Sequence, residues 1–126
     1  MTQEEEKNLL LKDLCARLPY GVKIKLIRWD IDEGMYINTT LEPDDIERLL
    51  NIEEGDTEIK PYLFPLSSMT EEQKKEYQYI TERWMYDSSY SISDSIDWLN
   101  KNHFDYRGLI EKGLALEAPE EMYKTE

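Results

Sequence analysis

The most constraining feature of this sequence is a change of hydrophobic period at Pro19. Before the proline, residues 3–18 carry apolar side chains at helical spacing. The residues of this stripe are Leu10, Leu11, Leu14, Cys15 and Leu18. After the proline, residues 20–29 alternate between apolar and basic side chains, as in a strand with one buried face. Because proline offers no N–H and disfavours a helical residue before it, we expect a helix to end here and a strand to follow.

The next residues predict that this strand is half of a β-hairpin. Residues 35–41 have strand-type composition, and Met35, Ile37 and Leu41 would share the inner face. The pentapeptide "DIDEG" at 30–34 suits the connecting turn. It also resembles the start of a calcium-binding loop, but the twelfth position of such a loop is Leu41 rather than glutamate. We therefore expect a turn and no calcium site.

Prolines also shape the two segments that follow the hairpin. Residues 42–50 predict a short helix in which Pro43 occupies the first helical position. Its apolar stripe comprises Ile46, Leu49 and Leu50. Residues 58–65 are of strand type, but Pro61 and Pro65 each lack an N–H. This restricts the segment to an edge strand or an extended loop.

Residues 67–86 contain the clearest helix start of the chain. Either Thr70 with Gln73, or Ser68 with Glu71, fits a capping box, in which two side chains satisfy free N–H groups of the first turn. The apolar face of this helix comprises Tyr77, Ile80 and Trp84. A further helix is predicted within residues 91–104, with Ser91 or Ser93 as its cap. Its apolar positions are Ile92, Ile96 and Leu99.

The stretch "NHFDYRGLIEKGLALEAP" at 102–119 reads mainly as the ending of a helix. Asp105 would cap a short helix over 106–112, and Gly113 would take the left-handed conformation that often ends a helix. Gly108 would lie inside that helix, where glycine costs about 1 kcal/mol relative to alanine. The sequence offers no reason for Gly108 other than close packing.

Together these segments predict an α+β fold, with a small antiparallel β-sheet of two or three strands packed against three or four α-helices. A chain of 126 residues fits one domain, which we place at 1–116. Residues 117–126 are acidic and contain a proline, so we expect them to form a flexible tail.

Composition limits the classes of function. The net charge is −13, from 15 basic and 28 acidic residues. An acidic surface repels phosphate backbones and anionic membranes, so direct nucleic-acid and membrane binding are disfavoured. No segment approaches the roughly 20 apolar residues of a membrane span, and the N-terminus is acidic where a signal peptide would be basic. We therefore expect a soluble, cytoplasmic protein.

Candidate chemistry is sparse. One cysteine and one histidine exclude an internal disulfide and argue against a structural zinc site. Cys15 and His103 could pair as nucleophile and base, but a cysteine on an apolar stripe usually packs as a small hydrophobic residue. His103, near a helix end, is expected to make a capping or surface contact. There is no phosphate-binding glycine-rich loop, and we expect no cofactor and no catalytic residue.

Aromatic residues are more numerous than a small core requires, with nine tyrosines and three tryptophans. Tyrosine and tryptophan are enriched at protein interfaces because they bury a large area at low entropic cost. Tyr79 and Tyr86 should lie off the apolar face of their helix. The candidate partner-binding residues are Tyr79, Trp84, Tyr86, Tyr90, Tyr106 and Arg107. The alternative is that these aromatic residues fill the core and its margins.

Three stretches resemble segments of a known family. These are "DLCARLPYGVK" at 13–23, "KPYLFPLSSMTEEQ" at 60–73 and "DWLNKNHFDYRGLIEKGLALEAPEEMY" at 97–123. They resemble short uncharacterised proteins of gut anaerobe genomes, their prophages and mobile elements. The resemblance carries over no activity and no catalytic residue. It implies an accessory protein of a phage or mobile element.

Three functional hypotheses follow. The first is a non-enzymatic protein that binds a protein partner through exposed aromatic side chains, a surface that would also allow homo-oligomerisation. The second is an acidic inhibitor that imitates the charge of a nucleic acid and blocks a host or defence protein. The third is a small enzyme, which would require a deep pocket with Cys15 or His103 beside a carboxylate.

Overall fold

The computed structural model describes residues 2–28, 35–51, 57–86 and 92–123. These residues form an α+β fold with four α-helices and a mixed five-stranded sheet. The helices are α1 (Gln3–Arg17), α2 (Pro43–Asn51), α3 (Glu71–Tyr86) and α4 (Ile92–Lys101). The strands are β1 (Lys23–Arg28), β2 (Met35–Thr40), β3 (Thr57–Pro65), β4 (Phe104–Asp105) and β5 (Leu116–Glu117). Short 3-10 helices span Leu18–Tyr20 and Leu66–Ser68.

The sheet has the strand order β2-β1-β3-β4, and β5 also pairs with β3. The β1–β2 hairpin is antiparallel, as predicted, and its "DIDEG" turn lies outside the described residues. Strand β1 also pairs antiparallel with β3, whereas β4 and β5 run parallel to β3. The sheet is therefore larger than predicted and mixed. Strands of two residues, such as β4 and β5, are too short to produce a hydrophobic period in the sequence.

Strand β3 is not an edge strand, so that prediction is wrong. It lies between β1 and β4 in the sheet. Its first half pairs with β1 and its second half with β5 and β4. Pro61 pairs with Ile24 at the end of the β1 ladder, and Pro65 pairs with Asp105 at the end of the β4 ladder. Each proline therefore lies at the end of a strand pairing. Its missing N–H does not break a continuous ladder of hydrogen bonds.

Two apolar clusters form the core. The larger joins α1, α2 and the sheet, and its buried members are Leu10, Leu14, Val22, Ile24, Leu26, Leu41, Leu49, Ile59, Leu63, Leu109 and Ala115. The smaller joins α3, α4 and β4 around Trp98, Leu99 and Phe104. Leu63 and Phe64, which follow one another in β3, contact different clusters. Since successive strand residues point to opposite faces, β3 separates the two clusters.

The buried faces of three elements differ from their predictions. In α1 the buried residues are Leu10, Asp13, Leu14 and Arg17, whereas Cys15 is exposed. In α4 the buried residues include Ser95, Trp98 and Leu99, and Ile96 is exposed. In β2, Ile37 pairs with the buried Leu26 yet is exposed. Ile37 therefore lies on the predicted inner face of the sheet. It is exposed because β2 is the edge strand.

The start of α3 confirms one of the two predicted capping boxes. The Thr70 hydroxyl accepts a hydrogen bond from the Gln73 N–H at 3.1 Å, and the Gln73 side chain accepts from the Thr70 N–H at 2.9 Å. The Ser68 hydroxyl donates instead to the Pro65 carbonyl at 2.7 Å. The helix therefore begins at Glu71, and Thr70 is its cap.

Residues 106–112 do not form a regular helix, contrary to prediction. The Asp105 carboxylate accepts hydrogen bonds from the N–H groups of Leu109 and Ile110, which caps a single helical turn. Leu114 N–H then donates to the Leu109 carbonyl, and Gly113 is left-handed (φ 76°), so the predicted ending is present. Gly108 has φ 73°, a left-handed conformation that glycine adopts without steric cost. This conformation, rather than close packing, explains the glycine at position 108.

Residues 117–123 pack against the sheet rather than forming a tail. Glu117 pairs with Leu63, and the Ala118 N–H donates to the Leu63 carbonyl at 2.8 Å. Tyr123 reaches the start of β1, where its hydroxyl accepts a hydrogen bond from the Lys23 N–H at 2.8 Å. The acidic composition of this segment concealed these two contact residues, Ala118 and Tyr123. Residues 124–126 lie outside the described part of the chain.

Candidate functional site

A buried ion network connects α1 to the segment after α4. Asp13 and Arg17 have side chains with no exposure, and they pair at 2.9 Å. The second oxygen of Asp13 accepts a hydrogen bond from Arg107 Nε at 3.1 Å. One carboxylate therefore serves two guanidinium groups. This pairing explains why α1 turns Asp13 and Arg17 inward, since a buried charge is tolerated only with a partner.

The network continues into α4 and β4. Arg17 Nη2 donates to the Phe104 carbonyl at 2.6 Å. Arg107 Nη2 donates to the Tyr106 hydroxyl, which in turn donates to Asn100 Oδ1, both at 2.9 Å. These bonds fix the backbone between Asn100 and Arg107. That backbone carries His103, so the network holds the only histidine of the chain in place.

His103 has an unusual backbone conformation. It follows α4 with φ 63°, the left-handed region that residues other than glycine seldom occupy. Its N–H donates to the Asn100 carbonyl at 3.1 Å, and its carbonyl accepts from Phe64 N–H at 2.8 Å. The left-handed turn thus ends α4 and immediately starts the β3–β4 pairing. Strained conformations of this kind persist only where surrounding contacts hold them.

The His103 ring is buried and stacked. It lies 3.7 Å from the Tyr123 ring, measured between centroids, with 19° between the ring planes. Nδ1 is buried and has no hydrogen-bond partner among the described residues. Burial, together with the positive charges of Arg17 and Lys23, lowers the pKa of His103 to about 4. The imidazole is therefore neutral at neutral pH.

Tyr123 closes one side of this arrangement. Its hydroxyl donates to the Tyr62 carbonyl at 2.7 Å, in addition to accepting from Lys23 N–H. Burial raises the pKa of Tyr123 well above its ordinary value, so the hydroxyl stays protonated. Lys23 Nζ donates to the Met122 carbonyl at 2.8 Å. These bonds attach the C-terminal segment to β1 and β3 beside the histidine.

A cleft of about 550 Å³ opens beside His103. Its walls come from the end of β3, the start of α3, the end of α4 and the C-terminal segment. The lining side chains that carry polar groups are Ser68, Thr70, Gln73, Lys101, Asn102, His103, Glu117, Glu120 and Tyr123. We refer to it below as the His103 cleft. Its volume lies within the range of small-molecule sites.

Among the described residues, neither Cys15 nor Ser68 is paired with His103 as an acyl-transfer nucleophile would be. Cys15 is exposed on α1 and does not line the cleft, so the structure does not bring Cys15 and His103 together. The Ser68 hydroxyl donates to the Pro65 carbonyl rather than to a base. Within the described ranges, no group of three or more histidine, cysteine, aspartate or glutamate residues is arranged to hold a metal ion.

A second candidate site lies on the surface of α3. Tyr79 is 54% exposed and Tyr86 is 84% exposed, consistent with their predicted position off the apolar face. The guanidinium of Arg83 lies 5.1 Å from the centre of the Tyr79 ring. Residues 79, 83 and 86 follow one another at intervals of four and three, so they share one face of the helix. We call this the α3 aromatic face.

The other predicted partner-binding residues lie elsewhere. Tyr106 and Arg107 are half-buried in the ion network and do not belong to the α3 aromatic face. The Trp84 side chain and the whole of Tyr90 lie outside the described residues. Sequence reasoning did not identify Tyr123 or the cleft around His103. The available signal was the presence of apolar side chains in this acidic segment, among them Ala118, Met122 and Tyr123.

Comparison with known proteins gives no relative from which a role could be transferred. Searches with the chain find no matching family model, no matching curated protein and no matching solved structure. Among the helices of the described residues, none is both long enough and apolar enough to cross a bilayer.

Proposed function

We propose that this protein is a non-enzymatic accessory protein that binds another protein through the α3 aromatic face. The observation that carries the proposal is the exposure of Tyr79 and Tyr86 on one side of a helix, with Arg83 between them. Tyrosine and arginine are enriched among the residues that dominate binding energy at interfaces. Membership in a phage or mobile-element family, which the sequence resemblance implies, belongs to the same proposal.

The chemistry of the partner follows from charge. With a net charge of −13, this protein repels acidic surfaces and attracts basic ones. The partner should therefore present a basic surface around pockets that accept tyrosine rings. Charge complementarity would accelerate the encounter, whereas the buried rings would supply most of the affinity.

The test is an affinity purification from host lysate with the tagged protein, at low and at high salt, followed by quantitative mass spectrometry. Three proteins are compared: wild type, the double variant Tyr79→Ala/Tyr86→Ala, and the control Ile37→Ala. Ile37 is also apolar and 50% exposed, but it lies on β2, away from α3. We expect a basic protein that wild type and Ile37→Ala retain at both salt concentrations and that the double variant loses.

Retention of the same proteins by the double variant would refute a role for the α3 aromatic face. A nucleic-acid-binding protein that is lost at high salt, and that is insensitive to the tyrosine substitutions, would instead support charge imitation, because salt screens exposed charges. Circular dichroism of each variant confirms that the fold is intact.

A further inference from the structure

We propose that the His103 cleft is a binding site for a small monocarboxylate, which accepts a hydrogen bond from Nε2–H of a neutral His103. This proposal concerns a different surface from the α3 aromatic face, since neither Tyr79 nor Tyr86 lines the cleft. It depends on the tautomer of the imidazole, on the donors around it and on the charges of the cleft.

The surroundings of the two ring nitrogens determine the tautomer. His103 is only 7% exposed, and Nδ1 is buried without a partner. Arg17 Nη1 is also buried without a partner among the described residues, and a guanidinium can only donate. Arg17 lies close by, because its Nη2 donates to the carbonyl of Phe104, the residue after His103. A proton on Nδ1 would bury a second unpaired donor next to this cation, so the proton belongs on Nε2.

We infer that Nε2 is the ring nitrogen that faces the cleft. His103 lines the cleft, and of its two nitrogens only Nδ1 is enclosed without a partner. The structure thus holds a donor at the cleft surface by stacking the ring on Tyr123 and fixing the backbone through Arg17. A neutral imidazole N–H that cannot rotate is suited to binding an acceptor rather than to shuttling a proton.

Two further donors share the cleft. The Gln73 side-chain oxygen is occupied by the Thr70 N–H, which leaves the amide NH2 to donate. Lys101 is exposed and contributes an ammonium group. These groups together favour an anionic acceptor, although the whole chain is acidic.

The acidic residues of the cleft restrict the anion. Glu117 and Glu120 line the same space. They disfavour a ligand with several negative charges, such as a phosphate dianion, and they tolerate a neutral or cationic remainder. The ligand class is therefore a compound with one carboxylate and a remainder that is neutral or cationic, small enough for about 550 Å³.

The experiment observes the imidazole directly. His103 is the only histidine, so its ring nitrogens give the only histidine signals in a ¹⁵N NMR spectrum. The probes are N-acetylglycine, its amide N-acetylglycinamide, and inorganic phosphate, each titrated at neutral pH. We expect the spectrum of the free protein to show the Nε2–H tautomer. We expect N-acetylglycine to shift the Nε2 signal saturably, and the other two compounds to leave it unchanged at the same concentrations.

Variants connect the binding to the cleft. His103→Asn should abolish the binding, as judged from backbone amide shifts, because asparagine tolerates a left-handed conformation but places no ring N–H in the cleft. Lys101→Gln should weaken it roughly fivefold, and it keeps the test valid if His103→Asn does not fold. The control Lys112→Gln changes an exposed lysine that does not line the cleft and should bind like wild type.

Three results would overturn the proposal. The first is an Nδ1–H tautomer in the free protein. The second is the absence of a saturable shift with N-acetylglycine. The third is an equal response to N-acetylglycine and its amide, which would show that the carboxylate is not recognised.

Discussion

Acidification from pH 7 to pH 5 should destabilise this protein through His103. Its pKa falls from 6.5 to about 4 on folding, so between these values the unfolded chain binds more protons than the folded one. The stabilisation is complete above pH 6.5 and is lost as the pH falls through this window. The two pKa values correspond to a loss of about 2 kcal/mol at pH 5 relative to pH 7.

The assay is urea unfolding monitored by tryptophan fluorescence at pH 7, 6 and 5, for wild type and His103→Asn. Asparagine can adopt the positive φ of position 103, so the variant removes the titrating ring with little backbone strain. Ordinary carboxylates titrate mainly below pH 5 and affect both proteins alike. We expect the free energy of unfolding of wild type to decrease by about 2 kcal/mol more than that of the variant over this range.

Parallel pH profiles for the two proteins would refute this reasoning, because His103 would then have the same pKa in the folded and unfolded states. An NMR titration of the ring that gave an ordinary pKa would lead to the same conclusion. The cause would then be that water reaches the ring, or that Arg17 and Lys23 are too well screened to act on it.

Two further substitutions, each with a matched control, test the polar contacts that hold the fold. Asp13→Asn should lower the free energy of unfolding by about 3–5 kcal/mol, because the buried Arg17 and the half-buried Arg107 both lose their carboxylate partner. Glu58→Gln, which removes an exposed partner of Lys60, should change it by less than about 1 kcal/mol. Thr70→Ala should cost about 1 kcal/mol as the loss of a helix cap. Ser68→Ala should cost less, because the Ser68 hydroxyl does not cap α3.

All four stabilities can be measured by urea unfolding at pH 7. An Asp13→Asn variant as stable as Glu58→Gln would mean that solvent reaches the ion network. Equal effects of Thr70→Ala and Ser68→Ala would contradict the assignment of the cap.

Local signals in the sequence were sufficient for several elements. The change of period at Pro19, the capping box at Thr70 and the left-handed ending at Gly113 each depend on residues close together in the chain. In such cases the side chain and the backbone group that it satisfies are separated by only a few residues. Their chemistry therefore predicts the conformation without any knowledge of the tertiary structure.

The orientation of α1 could not be predicted in this way. Hydrophobic spacing alone placed Cys15 inside and left Asp13 and Arg17 outside. The structure reverses this because Arg107, 94 residues from Asp13, supplies the second partner of the carboxylate. A buried charge is acceptable only when its partner is present, and a partner so distant leaves no periodic signal near α1.

The His103 cleft, like the orientation of α1, depends on contacts between residues that are distant in the chain. Its histidine is positioned by Arg17 from the start of the chain, by Phe64 from β3 and by Tyr123 from the acidic C-terminal segment. Each contact is polar or aromatic and spans tens of residues, so none contributes to a helical or strand period. The sequence from Asn100 onward therefore indicates only the end of a helix when it is considered alone. The binding cleft forms only when the N-terminal and C-terminal segments pack together on the sheet.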